Sequence, residues 1–317
     1  MPVAIGLDLG GTNIKGGVVD ENGKVLVQGE VPTLAHEGPD KIVGRMAKLA
    51  EEMKAKAPSP PVGMGVGSPG PLDPTTGMLY FTPNMPGWDN YHLGGKLKEK
   101  LGLNVVVDND ANVAALAEFR WGAGKSTKTM ILLTLGTGIG GGVIFDGKLV
   151  NGPRVTAGEV GHITINDKGP KCGCGNHGCM EAYVGTEGIL SRAKALLDLP
   201  GTVSILREMS GREYEKLTPA LISEAGLKGD GVAISILKET GRLLGVGTAS
   251  LVNLFAPEVV ILGGGVARAG EFIFTPMREE IRRRAMRPAS EWVRVVPAAM
   301  GNDAGIVGAA ALVLRGT

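Results

Sequence analysis

The sequence predicts an α/β fold of two domains built to the same plan, and three observations carry that expectation. Runs with strand-like alternation recur beside stretches with helical spacing. Glycine supplies 51 of the 317 residues, gathered at 10–17, 63–70, 136–142 and 263–265, and each cluster borders a run of branched apolar residues. That is the pattern of strand ends followed by tight turns, where α/β folds place their sites. The opening segment also recurs: AIGLDLGGTNIKGGVVDENGKVL (4–26) and MILLTLGTGIGGGVIFDGKLV (130–150) share an order of features. Each has an apolar strand, a turn beginning Leu-Gly, a Gly-Gly-Val strand, an Asp-containing turn and Gly-Lys. A repeated strand–turn–strand–turn–strand unit implies two domains of similar design.

Taken in order, VAIGLDLG (3–10), IKGGVVD (14–20) and KVLVQGEV (24–31) read as three antiparallel strands, the last two separated by Glu-Asn-Gly. Residues 40–56 have helical spacing, with Ile42, Val43, Met46, Leu49, Ala50 and Met53 on one face. Strands follow at 62–68 and 104–110, and a helix at 111–122. After the second copy of the repeat come helices at 187–197 and 230–254, a strand into a glycine turn at 258–267, and a closing apolar helix at 301–315. The least regular stretch, 68–92, reads as a substrate loop rather than a linker.

Composition excludes several classes. Hydrophobic residues make up 43% and charged residues 21%, a globular balance. Lysine plus arginine is 33 against 32 acids, a net charge of +1, so no field favours nucleic acid or an anionic membrane. The one basic run, RRRAMR (282–287), reads as the solvated end of a helix. The longest uncharged stretch, 129–145, falls short of the ~20 apolar residues that span a bilayer, and no secretory signal opens the chain. Three cysteines, an odd number, suit a reducing compartment, so a cytoplasmic protein is expected and metal binding gains over disulfides.

DLGGT (8–12) puts a carboxylate at a strand end, then two glycines and a hydroxyl. Glycine lets backbone amides approach a phosphate, and Thr12 adds a donor. Asp8 would repel phosphate unless a cation lay between them, which points to Mg²⁺ held through water. TLGTGIGGG (134–142) lacks the acid but offers Thr134, Gly136, Thr137 and Gly138. A third turn, LGGGVARAG (262–270), follows a strand and suits a nucleoside or phosphate lying on backbone. No Gly-Lys-Ser/Thr makes any of these a Walker loop, and the dinucleotide spacing is absent.

Together these turns resemble the two phosphate motifs and the adenosine motif of the sugar kinase/actin/Hsp70 superfamily. Within it, DNDANVAALAE (108–118), GEVGH (158–162) and CGCGNHGCME (172–181) resemble the ROK family of repressors and sugar kinases, over residues 3–315. The resemblance implies two RNase-H-like (actin-like ATPase) α/β domains with an interdomain cleft closing over sugar and ATP. The first would be residues 1–110, completed by a C-terminal helix at 303–317; the second would be 111–302. The expected nucleotide contacts are Asp8, Gly10, Gly11, Thr12, Asn13 and Lys15 in the first turn, Thr134, Gly136, Thr137 and Gly138 in the second, and Gly263, Gly264 and Gly265 in the third.

All three cysteines, Cys172, Cys174 and Cys179, fall in one eight-residue window. Thiolates are good zinc ligands and zinc wants four partners. Spacing leaves two candidates for the fourth, His177 inside the window and His162 ten residues before it. The ROK resemblance implies His162. A closed four-ligand site has no place for water, so the zinc would be structural, a staple for an irregular loop. Glu159 and Glu181 flank it and resemble the family's sugar-hydroxyl ligands, and His162 would turn its other nitrogen to the sugar.

In DNDAN, Asn109 and Asp110 end a strand and Ala111 begins a helix. A carboxylate there can take the proton of a sugar hydroxyl as its oxygen attacks phosphorus, and the resemblance assigns this to Asp110, with Asn109 beside it on the substrate. The plain alternative for Asp110 is a helix N-cap. Asp108, on the other face by alternation, is the weaker choice. FTPNMPGWDNY (81–91) resembles the sugar-covering loop of ROK glucokinases, with Asn84 on a ring hydroxyl, while Trp88 belongs either to that cover or to simple packing. The implied activity is ATP-dependent phosphorylation of glucose at its 6-hydroxyl by a homodimer. Other hexoses or hexosamines, and polyphosphate as donor, are the near variants. A sugar-sensing ROK regulator is the distant one, disfavoured because the first strand begins by Val3 and leaves no room for a helix-turn-helix.

Overall fold

The computed structural model describes residues 1–82, 85–152 and 157–314. In chain order the elements are β1 (Val3–Leu9), β2 (Asn13–Asp20), β3 (Val25–Pro32), α1 (Pro39–Lys56), β4 (Met64–Ser68), β5 (Leu72–Asp73), β6 (Met78–Leu79), β7 (Tyr91–His92), α2 (Leu93–Leu101), β8 (Val105–Asn109) and α3 (Asp110–Arg120). They continue as β9 (Met130–Leu135), β10 (Ile139–Phe145), β11 (Lys148–Leu149), α4 (Met180–Val184), α5 (Thr186–Leu197), α6 (Leu206–Met209), α7 (Pro219–Leu227) and α8 (Gly231–Phe255). The chain ends with β12 (Val259–Gly264), α9 (Glu271–Arg284), α10 (Ala289–Trp292), β13 (Arg294–Pro297) and α11 (Ala304–Ala311).

By internal packing the chain groups into two units, one of Met1–Thr127, Gly142–Gly158 and Ala299–Thr317, the other of Lys128–Gly141 and Glu159–Ala298. The sequence expectation placed its boundary after residue 110; in this grouping α3 stays with the first unit, where it packs on α11.

The first unit is built on a sheet of order β3-β2-β1-β4-β8. β1 pairs antiparallel with β2 and parallel with β4, and β4 pairs parallel with β8. β1 and β4 read as nearly continuous apolar runs because both their faces are covered. Val3, Ile5, Leu7 and Leu9 join the core made with the buried face of α1, namely Ile42, Val43, Met46, Leu49, Ala50 and Met53. Ala4 points the other way, into a smaller core with Ala117 of α3 and Ile306, Val307 and Ala310 of α11. On that face α11 lies almost on the backbone. A Cβ on Gly6 would stand 1.9 Å from the Ile306 carbonyl oxygen, and one on Gly65 would stand 1.7 Å from that of Ala309. Part of the glycine cluster at 63–70 is therefore there for helix docking and not for a turn.

Residues 68–92, read as the least regular stretch, carry short strands of their own. A small sheet of order β5-β6-β7 forms there, and Leu72, Leu79 and Trp88 are buried. Trp88 packs edge-on against Tyr91 with ring centroids 5.1 Å apart, which is the packing alternative. Glu118, 1% exposed near the end of α3, accepts hydrogen bonds from the amides of Ala123, Ala299 and Met300 and so holds two loops of this unit in place.

The second repeat supplies β9, β10 and β11 in a sheet of order β11-β10-β9-β12-β13. Its third strand has two residues where β3 has eight. β12 runs parallel to β9, aligning Gly263 with Thr134 and Gly264 with Leu135. α8 begins at Asp230, whose carboxylate caps it by accepting from the Ala233 amide at 2.8 Å. The basic run ends α9, where Arg283 and Arg284 pair with the buried Glu280, as a helix C-terminus favours.

Candidate active site and metal centre

In the first unit the parallel register of β1, β4 and β8 sets Asp8 opposite Gly67 and Gly67 opposite Asp108, at the carboxyl ends of the strands. Asp8 lies beside Gly305, where a Cβ would stand 2.5 Å from its Oδ2. Burial pushes its carboxyl above the usual carboxylate range, and Lys15, its cross-strand partner on β2, opposes that. Beyond Asp8, Gly10, Gly11 and Thr12 form the hairpin turn to β2, closed by the Gly10 amide donating to the Asn13 carbonyl at 3.0 Å.

At the next strand end β8 runs directly into α3. Asn109 is the N-cap: its Oδ1 accepts from the amides of Ala111 at 2.9 Å and Asn112 at 3.3 Å. The alternative offered for Asp110 is thus taken by its neighbour, although Asp110 Oδ1 also accepts from the Ala111 amide at 2.7 Å. Asp108 is buried on the other face. Its Oδ1 accepts from the Asn109 amide at 2.7 Å and Asn112 Nδ2 at 2.9 Å, and its Oδ2 from Asn151 Nδ2 at 3.0 Å. Burial raises its carboxyl above the usual range and these donors pull against it. Asn112 and Asn151 were not among the expected site residues; Asn112 stood inside the quoted DNDAN, while nothing local marked Asn151. Asn84 lies outside the described residues.

In the second unit the turn Gly136–Thr137–Gly138 joins β9 to β10, closed by the Gly136 amide donating to the Gly138 carbonyl at 3.0 Å. The two turns share a brace that lies outside the repeat. The Thr33 hydroxyl donates to the Gly10 carbonyl at 2.6 Å and its amide to the Thr12 carbonyl at 2.8 Å. The Thr186 hydroxyl donates to the Gly136 carbonyl at 2.9 Å and its amide to the Thr137 carbonyl at 3.1 Å. In each turn two carbonyls are tied down in this way. The amides of Gly11, Thr12, Thr137 and Gly138 have no hydrogen-bond partner among the described residues. Such amides are what a phosphate needs.

The cysteine loop is the best-defined feature of this unit. Ligand atoms of His162, Cys172, Cys174 and Cys179 all lie within 4.8 Å of one another, and His177 is not in the group. Cys172 Sγ is 3.7 Å from His162 Nδ1, and the Sγ atoms of Cys174 and Cys179 are 3.7 Å apart. A tetrahedron drawn with zinc–sulfur bonds of 2.3 Å has edges of about 3.8 Å. The four residues therefore fit a closed zinc site, and the choice that spacing left open falls to His162. Burial pushes the Cys172 thiol up to about 12, so metal binding must displace its proton.

The loop itself is held by two short bridges, Thr164 with Cys179 and Lys171 with His177. Gly178 is needed where it stands. Its φ is +68° and a Cβ there would lie 1.5 Å from the Asn166 carbonyl oxygen.

Cys179 leads into α4, which presents Glu181. Glu181 Oε2 accepts from the Ile139 amide at 2.9 Å, just past the Gly136–Gly138 turn. A Cβ on Gly138 would stand 2.2 Å from that oxygen. Glu181 Oε1 sits 3.9 Å from His162 Nδ1 and 3.6 Å from Cys172 Sγ. Glu159, more exposed, lies 3.9 Å from His162 Nε2. The structure thus gathers Glu159, His162, Glu181 and the metal ligands in one place. At the third turn, Gly263 and Gly264 end β12 and Gly265 follows, the last two exposed.

A model of the ROK family matches residues 4–316. The chain belongs to the ROK family. It is 36% identical to a glucokinase of Thermotoga maritima over 309 residues, which cover 98% of this chain and 96% of that protein. It is 37% identical to a ROK family glucokinase from Streptomyces griseus solved in complex with glucose and AMPPNP, with a TM-score of 0.83 and 98% of each chain covered. A xylose repressor of Caldicellulosiruptor bescii is 32% identical over 313 residues, which cover 98% of this chain and 77% of the repressor. The fold of this ROK chain is accordingly the mixed α/β, actin-like ATPase fold that its turns implied. Among the described residues no helix is long and apolar enough to cross a membrane.

Proposed function

We propose that this chain transfers the γ-phosphoryl group of ATP to the 6-hydroxyl of glucose, giving glucose 6-phosphate and ADP. The observation that carries the reading is 36% identity to a glucokinase over nearly the full length of both chains, together with Asp110 standing where β8 meets α3. In the reaction the 6-oxygen attacks the γ-phosphorus in line as the bond to the β–γ bridging oxygen breaks. The hydroxyl proton passes to the Asp110 carboxylate, and the electron pair of the broken bond leaves with ADP.

The remaining parts are positioning and charge. Glu159, His162 and Glu181 hold sugar hydroxyls, with Asn109 and Asn84 completing the set. The free amides of the turns at 10–12 and 136–138 take the phosphates, aided by Asn13, Lys15 and Thr134, and Gly263–Gly265 lie against the nucleoside. Asp8 faces the magnesium that accompanies ATP, through water. Zinc on His162, Cys172, Cys174 and Cys179 fixes the shape of the sugar-reading loop and takes no part in the chemistry. A homodimer in the reducing cytoplasm, where three thiols stay free to bind metal, belongs to the same proposal.

A coupled ADP-release assay tests it across glucose, mannose, N-acetylglucosamine, N-acetylmannosamine and fructose, with ATP and with polyphosphate. The expected result is the highest kcat/KM for glucose with ATP. Glucose binding without ADP release from any pairing would overturn the kinase reading in favour of a sugar sensor.

A further inference from the structure

Asp108 is a carboxylate that is 3% exposed with no cation among its partners in the described residues, an expensive group to keep where it is not needed. Capping does not account for it, since Asn109 already accepts from the first amides of α3. What Asp108 adds is a ring. Its Oδ1 bridges the Asn109 amide and the Asn112 side chain, closing the five-residue segment that contains Asp110. Its Oδ2 takes a hydrogen bond from Asn151, which also accepts at Oδ1 from Asn112 Nδ2 at 3.1 Å. The loop after β11 is thereby locked to the first turn of α3. β10 presses the same turn, because a Cβ on Gly142 would stand 2.4 Å from Ala115 Cβ and 3.0 Å from the Ala111 carbonyl oxygen.

We propose that Asp108, Asn112 and Asn151 are positioning residues that hold the strand-to-helix junction so that the Asp110 carboxylate meets the attacking hydroxyl in register. The inference rests on the reading of Asp110 as the base. It adds a residue from a distant segment, Asn151, to the determinants of turnover. A phosphoryl acceptor misplaced by a fraction of an ångström loses rate while its binding contacts persist, so the network acts on kcat more than on KM.

The donor and acceptor pattern supplies a rescue test. Asp108→Asn turns an acceptor into a donor facing the Asn151 amide, and Asn151→Asp sets a second carboxylate against Asp108. The double variant restores every pair, with the residue-108 amide donating to the new carboxylate while its oxygen still accepts from Asn109 and Asn112. The measurements are kcat and both KM values for the two single variants, the double variant and Asn151→Ala, at a temperature where circular dichroism shows each folded.

Each single variant, Asn151→Ala included, is expected to lose about tenfold or more in kcat with KM values changed by less than about threefold. The double variant is expected to return to within about threefold of the wild-type kcat. In Asn151→Asp the paired carboxylates share a proton, so its kcat is expected to recover as pH falls. Unchanged kcat in Asn151→Ala would overturn the proposal even if Asp108→Asn failed to fold, and so would a double variant no better than the worse single one. Asp110→Asn is measured alongside. Retained turnover there removes the base assignment itself, whereas loss there with unchanged Asn151→Ala removes only the positioning network.

Discussion

Two carboxylates at the strand ends, Asp8 and Asp108, sit where burial makes ionisation costly, and both have folded-state pKa values raised above the ordinary 3.8. For a raised acid the stabilising contribution is complete below the unfolded value and is lost as pH rises through the folded one. Each therefore weakens the fold at neutral pH relative to its protonated form. Replacing Asp8 by Asn removes that dependence. Urea unfolding from pH 7 down to 4 is expected to show the wild type gaining on Asp8→Asn as the pH falls; parallel curves would refute the assignment. For Asp8 that cost fits the proposed site, where its charge is to meet a magnesium-bound triphosphate; for Asp108 it fits the proposed positioning role. At this scale the sequence was informative about chemistry and silent about partners. DNDAN named Asp110, and even Asp108, but the hydrogen bond that holds Asp108 comes from Asn151, 43 residues away.

At the scale of elements the same split recurs. The strands and turns of the repeat were legible because period-two alternation and Leu-Gly turns are local signals, and β1, β2, β9 and β10 follow them. The braces were not legible: Thr33 and Thr186 lie outside the repeat and do the same work for the two turns. Thr33→Val keeps the shape and removes one buried hydroxyl. A lost hydrogen bond of about 1 kcal/mol corresponds to a rise of about fivefold in KM for ATP, with KM for glucose unmoved, in steady-state kinetics. An unchanged KM for ATP would mean that the first turn does not touch phosphate.

The cysteine loop was the most readable element, since three thiols within eight residues point to a metal almost by themselves. Only the contest between His162 and His177 needed coordinates. Chelation of zinc is expected to weaken glucose binding, followed by calorimetry, at chelator concentrations where circular dichroism still reports a folded chain. Coincident loss of binding and fold would contradict a staple that acts on the loop alone. The small sheet inside 68–92 was not legible because its strands have two residues each, too short for any period to show.

At the scale of the whole molecule, the α/β class and the duplicated plan followed from features spread along the chain, and no single residue decided them. The resemblance implied a C-terminal helix completing the first unit; what sequence could not convey is how closely α11 docks there. Its docking depends on Gly6 and Gly65 presenting bare backbone to Ile306 and Ala309, a fit between segments some 300 and 240 residues apart. Gly65 stands in a cluster that reads as a turn from sequence alone, whereas in the fold it is a docking position for α11.

The proposed function makes turnover hang on one carboxylate, so the decisive experiment is glucose-dependent ADP release by Asp110→Asn beside the wild type, with glucose affinity determined on the same preparations. Near wild-type glucose affinity is expected, with kcat lowered by about 10²- to 10⁴-fold, the share general-base help typically supplies. Turnover within about threefold of the wild type would show that Asp110 is not the base, because general-base help of that size cannot be removed without a matching loss.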